Sequence, residues 1–328
     1  MVPSFSSLRA KSLALLVVVL LLALSACTGI GNNSSGSNSN GSKSNVSSTS
    51  GSNSHGAKPN ASINITVGEG QSTEEQLLAT MYALVLHHAS FKVVAVPALS
   101  SDTALFNAIT SGHIDLYPEY TTTGLIKLGL FSTGVAQQDY LQVKQGYEAR
   151  YKITWLDISP LNDTYGICST QTTARSLGVS KISDLSKKAT NLTIAVTPDG
   201  LQHGINLVKS VYHLTFKKVA TYSSEEQTFS AVNSGAQDLN ICTTTSADIA
   251  NDKLVLLQDD KNAFPVYNPA PIVRNSLLKQ VPQVAIILNR LAPYLTTQVS
   301  QQLQSEVLND GKSVTEVATQ FLQSKGLL

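Results

Sequence analysis

Ile109-Thr110-Ser111-Gly112-His113-Ile114-Asp115 returns later in the chain as Val232-Asn233-Ser234-Gly235-Ala236-Gln237-Asp238. In each copy an apolar residue closes a helical stretch, Ser-Gly stops it and Asp opens a strand. Glycine ends helices because it accepts left-handed backbone without steric cost. Working outward, the first copy is preceded by Ile63, Ile65 and Val67, which alternate with polar residues as a strand does and end in Gly68-Glu69-Gly70. Ser72 then offers a helix N-cap with Glu75 as its capping-box partner. Leu77, Leu78, Met81, Leu84 and Val85 follow at helical spacing, and residues 91–96 read as a second strand. Ala104, Leu105, Ala108 and Ile109 form a helix stopped by Gly112. Residues 114–117 are a third strand, opening into Pro118-Glu119-Tyr120-Thr121-Thr122-Thr123. The second copy has the same surroundings. A strand at 192–196 ends in Thr197-Pro198-Asp199-Gly200, and a helix runs through Ile205, Leu207, Val208 and Val211. A strand at 216–220, a helix capped by Ser223 with Glu226, and a strand at 238–242 complete it. Such alternation predicts an α/β fold with a mainly parallel sheet. Its doubling predicts two lobes, with a cleft lined by loops at the carboxyl ends of strands. Strands at 254–257 and 270–273 and two C-terminal helices follow, the helices expected to return to the first lobe.

A net charge of +1 with only 14% charged residues leaves no basic field for nucleic acid. At the N-terminus, Arg9 and Lys11 precede an apolar run from Leu13 to Leu24, the pattern of an export signal. The run is shorter than the ~20 apolar residues a membrane span needs. It ends in Leu24-Ser25-Ala26-Cys27, which resembles the bacterial lipobox, so residues 1–27 are expected to be a lipoprotein signal peptide with Cys27 as the lipidated residue. Residues 28–62 are mostly Ser, Asn and Gly, a composition too polar to offset its ordering entropy. As a flexible coil, about 35 residues reach roughly 30–35 Å, enough to hold a module off a membrane. Two cysteines remain, Cys168 and Cys242. In an exported domain they can pair or stand as two separate small buried residues, and spacing does not decide between these.

Gly68-x-Gly70 after a strand lacks the third glycine of a dinucleotide loop, with Thr73 in its place, so a tight strand-to-helix turn is the better reading. The sequence holds no Gly-x-Ser-x-Gly elbow, metal-spaced histidine pair or Cys-x-x-Cys. His87, His88, His113 and His213 read as loop or surface residues. What stands out is tyrosine in loops. Tyr117 and Tyr120 follow the third strand, while Tyr165 and Tyr267 fall where the chain should cross between lobes and return. A lone tyrosine is usually a packing residue. Several converging on one cavity bind quaternary ammonium groups through cation–π attraction, ~2 kcal/mol or more per desolvated contact.

From Ile63 to Leu328 the chain resembles the substrate-binding proteins of osmoprotectant ABC importers, which take glycine betaine, carnitine, choline or proline betaine. The matching stretches are 114–123 (Ile-Asp-Leu-Tyr-Pro-Glu-Tyr-Thr-Thr-Thr), 153–156 (Ile-Thr-Trp-Leu), 162–166 (Asn-Asp-Thr-Tyr-Gly), 259–274, and 316–326 (Glu-Val-Ala-x-x-Phe-Leu-x-x-Lys-Gly). The resemblance implies a two-lobed periplasmic-binding-protein fold, type II-like, with a ligand cleft between lobes joined by two hinge strands. It places lobe one at 63–165 plus 271–328 and lobe two at 166–270.

Three of the family's four cage aromatics match, at Tyr120, Tyr165 and Tyr267. The fourth position falls on Cys242. The resemblance also implies ligand contacts from Thr123 and Asp163. Two basic residues that grip a betaine carboxylate are missing, one position aligning with Gly70 and the other roughly with His203. Gln71 remains in the first loop as a partner for a hydroxyl. If Cys168 and Cys242 pair, Cys242 becomes structural and the pocket is reshaped.

The expectation is therefore an extracytoplasmic, membrane-anchored, monomeric lipoprotein, not an enzyme and needing no cofactor. It would capture a quaternary ammonium or related small polar osmolyte and deliver it to an ABC permease and its ATPase. The alternatives are a sensory module that presents its closed state to a membrane receptor, and a binder of a non-betaine solute.

Overall fold

A computed structural model describes residues 62–328. The signal segment with Cys27 and the tether (except Ser62) lie outside the described residues. The first lobe begins with β1 (Asn64–Val67), α1 (Thr73–His88), β2 (Lys92–Ala95), α2 (Asp102–Ser111), β3 (Leu116–Tyr120), α3 (Thr121–Leu128), α4 (Ala136–Tyr151) and β4 (Ile153–Trp155). The second holds β5 (Tyr165–Ser169), α5 (Gln171–Leu177), β6 (Thr193–Val196), a π-helical turn (Gly200–Ile205) that runs into α6 (Asn206–Tyr212), β7 (Lys218–Thr221), α7 (Glu225–Asn233), β8 (Leu239–Thr243), α8 (Ala247–Asn251) and β9 (Val255–Leu256). The chain then returns through β10 (Pro269–Arg274), α9 (Asn275–Gln280), α10 (Gln283–Asn289), α11 (Thr297–Leu308) and α12 (Val314–Ser324).

The sheets are ordered β2-β1-β3-β10-β4 and β7-β6-β8-β5-β9. Each is mixed, which corrects the expectation of a mainly parallel sheet. β1 pairs in parallel with β2 and β3, but β10 runs antiparallel to β3 and β4. β6 likewise pairs in parallel with β7 and β8, while β5 is antiparallel to β8 and β9. The cause is the double crossing, since a strand entering a lobe from the other one arrives from the opposite end.

The repeated motif serves both lobes in the same way. Gly112 and Gly235 adopt φ of +84° and +75°, the left-handed backbone that turns each chain out of its helix. Asp115 then accepts the Thr66 amide of β1 at 2.8 Å, and Asp238 accepts the Thr193 amide of β6 at 2.8 Å. Asp115 thereby ties the start of β3 to β1, and Asp238 ties the start of β8 to β6.

Capping follows the sequence closely. Ser72 and Glu75 form the full capping box of α1. One cap moves by a residue: Ser224, not Ser223, accepts the Gln227 amide and caps α7, while Ser223 binds the Gln227 side chain. The C-terminal helices return as expected. Leu303 of α11 and Val317, Ala318 and Leu322 of α12 share a core with Leu77, Leu78, Met81 and Val85 of α1. A separate core around the fully buried Trp155 packs Tyr117, Tyr147 and Ile272 together. There a Cβ on Gly124 would come within 2.6 Å of the indole ring, so α3 can approach only because that residue is glycine.

Two antiparallel segments join the lobes. Asp163 N–H donates to Tyr267 O at 3.0 Å, and Tyr267 N–H donates to Asn162 Oδ1 at 2.7 Å. The buried Asn268 amide group donates to the Leu161 carbonyl at 2.7 Å. At the same end of the cleft, α11 reaches across to lobe two. Gln301 and Gln304 donate to the carbonyls of Thr244 and Thr245 at 2.6 and 2.8 Å.

Candidate ligand site

A cavity of about 640 Å³ opens where the crossing segments meet lobe two. Its walls include Asp163, Tyr165 and Tyr267 from the crossings, Asp199 and His203 from the loop and turn after β6, and Thr243 from the end of β8. Four residues expected from the sequence therefore meet here: Tyr165, Tyr267, Asp163 and His203. Tyr165 opens β5 and directs its hydroxyl to Asp199 Oδ2. His203 Nε2 lies 3.7 Å from the other oxygen of the same carboxylate. Asp199 thus fixes the hydroxyl end of the crossing tyrosine.

A second space, about 320 Å³, lies between the lobes beside the first. Asp163 and Thr243 line both cavities. Ser72 and Glu74 contribute from the start of α1, Glu225 from the start of α7, and Gln304 from α11. Glu74 is buried, with 4% of its surface exposed. It accepts the Tyr120 hydroxyl at 2.7 Å and the Ser300 hydroxyl at 2.5 Å. Burial pushes its carboxyl up to about 7, and the negative charge of Asp163 adds to the rise. Asp163 is raised by its own loss of solvent, partly offset by the Thr245 hydroxyl that donates to it at 2.7 Å. Glu225 is also raised by burial, although the Thr243 amide donates to it at 2.5 Å.

Tyr120 stands at the end of β3, hydrogen-bonded to Glu74. Thr123 lies in the first turn of α3 and Gln71 in the exposed loop before α1. None of these three lines the larger cavity.

Two expectations are corrected. Tyr117 is not a loop residue of the site. β3 continues through Pro118 to Tyr120, which leaves Tyr117 1% exposed in the Trp155 core with its hydroxyl donated to Glu119. The strand tolerates Pro118 because it faces Pro271 of β10 in register, a position where neither N–H is needed for the ladder.

Cys242 is not a cavity wall either. It is fully buried and forms a disulfide with Cys168 across the antiparallel β5–β8 pair. Side chains alternate faces along a strand, so Cys242 packs with Phe229 and Val232 of α7 while the next residue, Thr243, faces the ligand space. The Gly70 position has been given over to the helix cap. A Cβ there would lie 2.2 Å from the Glu75 carboxylate, so a side chain at this position would require Glu75 to leave its capping geometry. Sequence reading missed Glu74 and Asp199 as site residues. Acids in the first turn of a helix or in a loop after a strand are common enough to carry no signal by themselves.

Among the described residues no helix is long and apolar enough to cross a membrane, and no His, Cys, Asp and Glu group is arranged to hold a metal ion. Two α/β lobes joined by two crossing segments, with an aromatic and acidic cavity at the joint, define a two-lobed solute-binding protein. The chain belongs to the family described as the substrate-binding domain of ABC-type glycine betaine transport systems, whose profile matches residues 63–324. It is 28% identical over 265 residues to the carnitine transport binding protein OpuCC of Listeria monocytogenes, covering 79% of this chain and 86% of that one. It is 27% identical over 281 residues to the glycine betaine-binding protein YehZ of Escherichia coli, covering 80% and 90%. A crystal structure described as a glycine betaine/carnitine/choline ABC transporter superposes with a TM-score of 0.76 at 25% identity, covering 80% of this chain and 99% of that one. This is a family of transport receptors rather than of enzymes.

Proposed function

We propose that the protein is an extracytoplasmic lipoprotein that captures a quaternary ammonium osmolyte between its lobes and passes it to an ABC permease. In this reading residues 1–27 are the export signal, Cys27 carries the lipid, and residues 28–62 are the tether. The lobes, 63–165 plus 271–328 and 166–270, close over the ligand by hinge motion. The observation that carries the reading is the convergence of Tyr165 and Tyr267, one from each crossing segment, with Asp163 on a single cavity. Two electron-rich rings and a carboxylate suit a methylated ammonium, which offers no N–H to hydrogen-bond and is held by cation–π and Coulomb attraction. Tyr120 completes the set from lobe one when the lobes approach.

Calorimetric titration with choline, glycine betaine, carnitine and proline betaine tests this. Saturable heat from at least one quaternary ammonium compound is expected. Silence from all of them, with a response to a different solute, removes the cage assignment.

A further inference from the structure

Helix N-termini are the fold's natural anion receptors, because their first amides lack partners and carry the positive end of the dipole. Two helices, α1 and α7, bring their first turns to the inter-lobe space. In this chain acids occupy both. The Ser72 amide and hydroxyl donate to Glu75 at 3.1 and 2.8 Å, and Glu74 sits beside it. Glu225 and Glu226 open α7, and Glu225 also takes the Thr243 amide. Glu75 thus holds the N-cap donors of α1, and Glu225 holds the end of β8 beside the start of α7.

The remaining walls continue the pattern. Glu74, Asp163, Glu225 and Asp248 line the space between the lobes, and Asp163 and Asp199 line the adjoining cavity. No lysine or arginine lines either one, and the lone imidazole, His203, leans on Asp199. The carboxylates are held by neutral donors: Tyr120, Ser300 and Gln304 on Glu74, Thr245 on Asp163, Tyr165 on Asp199. Their charge is left for the ligand to answer.

We propose that this site selects a ligand of net positive charge, a quaternary ammonium alcohol or similar cation without a carboxylate, and that Glu74, Asp163 and Glu225 are the residues that turn zwitterionic betaines away. The proposal rests on the quaternary ammonium reading above and narrows it. A betaine would bring its carboxylate among buried acids with no cation to receive it, and like-charge juxtaposition of that kind is strongly unfavourable.

The test is a pair of calorimetric titrations of the full-length protein at pH 8, one with choline and one with glycine betaine. Choline is expected to bind at least about 30-fold more tightly, a preference within reach of one unfavourable charge contact. Betaine binding as tightly as choline, or more so, overturns the proposal and leaves the quaternary ammonium reading intact. No heat from either compound, or from carnitine or proline betaine, overturns that reading and this one with it. Glu225→Gln keeps an acceptor for the Thr243 amide and should narrow the choline preference severalfold. Asp248→Asn, at the edge of the same space, should narrow it in the same direction. If both variants keep a native melting transition and an unchanged preference, the acidic walls do not select the ligand.

Discussion

Tyr120 donates its hydroxyl to Glu74 Oε1 at 2.7 Å, joining the end of β3 to the first turn of α1. The contact holds a buried carboxyl whose affinity for protons has risen from the ordinary glutamate value to about 7. The folded protein therefore binds more protons than the unfolded chain between about pH 4.5 and 7, and its stability should fall as pH rises through that window. The shift corresponds to on the order of 3–4 kcal/mol. Urea unfolding at half-unit pH steps should show the decline, and Glu74→Gln should flatten it. A Glu74→Gln profile that superposes on the wild type would place the proton elsewhere.

The same carboxyl gives ligand binding a pH dependence. A cation in the cleft favours the ionised form of Glu74, so affinity for choline should increase from pH 6 to pH 8 and binding should release protons. Titrations in buffers of different ionisation enthalpy measure that release directly. Proton uptake on binding would contradict the assignment.

Tyr165 has two separable roles, its ring facing the cavity and its hydroxyl on Asp199. Tyr165→Ala removes both and should weaken quaternary ammonium binding by about 30-fold or more, the equivalent of one desolvated cation–π contact. Tyr165→Phe keeps the ring and frees Asp199, so most of the affinity should remain. If the two variants bind equally poorly, the hydroxyl–Asp199 bond matters more than the ring.

Asp115 and Asp238 occupy equivalent places in the two lobes but differ in load. Each accepts a strand amide, and Asp115 also holds Arg274. Asp238→Ala leaves the partly buried Thr193 amide and hydroxyl without that partner and should cost roughly 1–3 kcal/mol of stability. Asp115→Ala should cost more, because Arg274 loses its carboxylate as well. Chemical denaturation of the two variants gives the comparison.

Breaking the Cys168–Cys242 bond, by reduction or by paired alanine substitution, should destabilise the protein by about 2–4 kcal/mol. Ligand affinity of the molecules that remain folded should change little, since Cys242 faces α7 rather than the cavity. A large loss of affinity without loss of stability would return Cys242 to the ligand site.

Local rules were legible in the sequence wherever local physics decides. Ser72 with Glu75, Gly112 with Gly235, and the alternation at Ile63, Ile65 and Val67 each marked an element that the structure contains. The crossing tyrosines were visible because Tyr165 and Tyr267 stand where the chain passes from one repeat to the other and back. The misreadings share one origin, which is information that only the other lobe or the other face supplies. Strand direction in β5 and β10 depends on where the chain comes from. Which of Cys242 and Thr243 meets the ligand depends on the register of β8 against β5. Glu74 draws attention only when α11 and β3 close around it.

The disulfide has one more consequence. It closes a loop with a sequence separation of 74, and that loop contains β6, the π-helical turn, α6, β7 and α7. Asp199, His203 and Glu225 all lie on this covalent ring. Made where thiols stay reduced, the same stretch is open-ended and folds with one constraint fewer. The oxidation state of the surroundings is thereby written into the half of the receptor that meets its cargo.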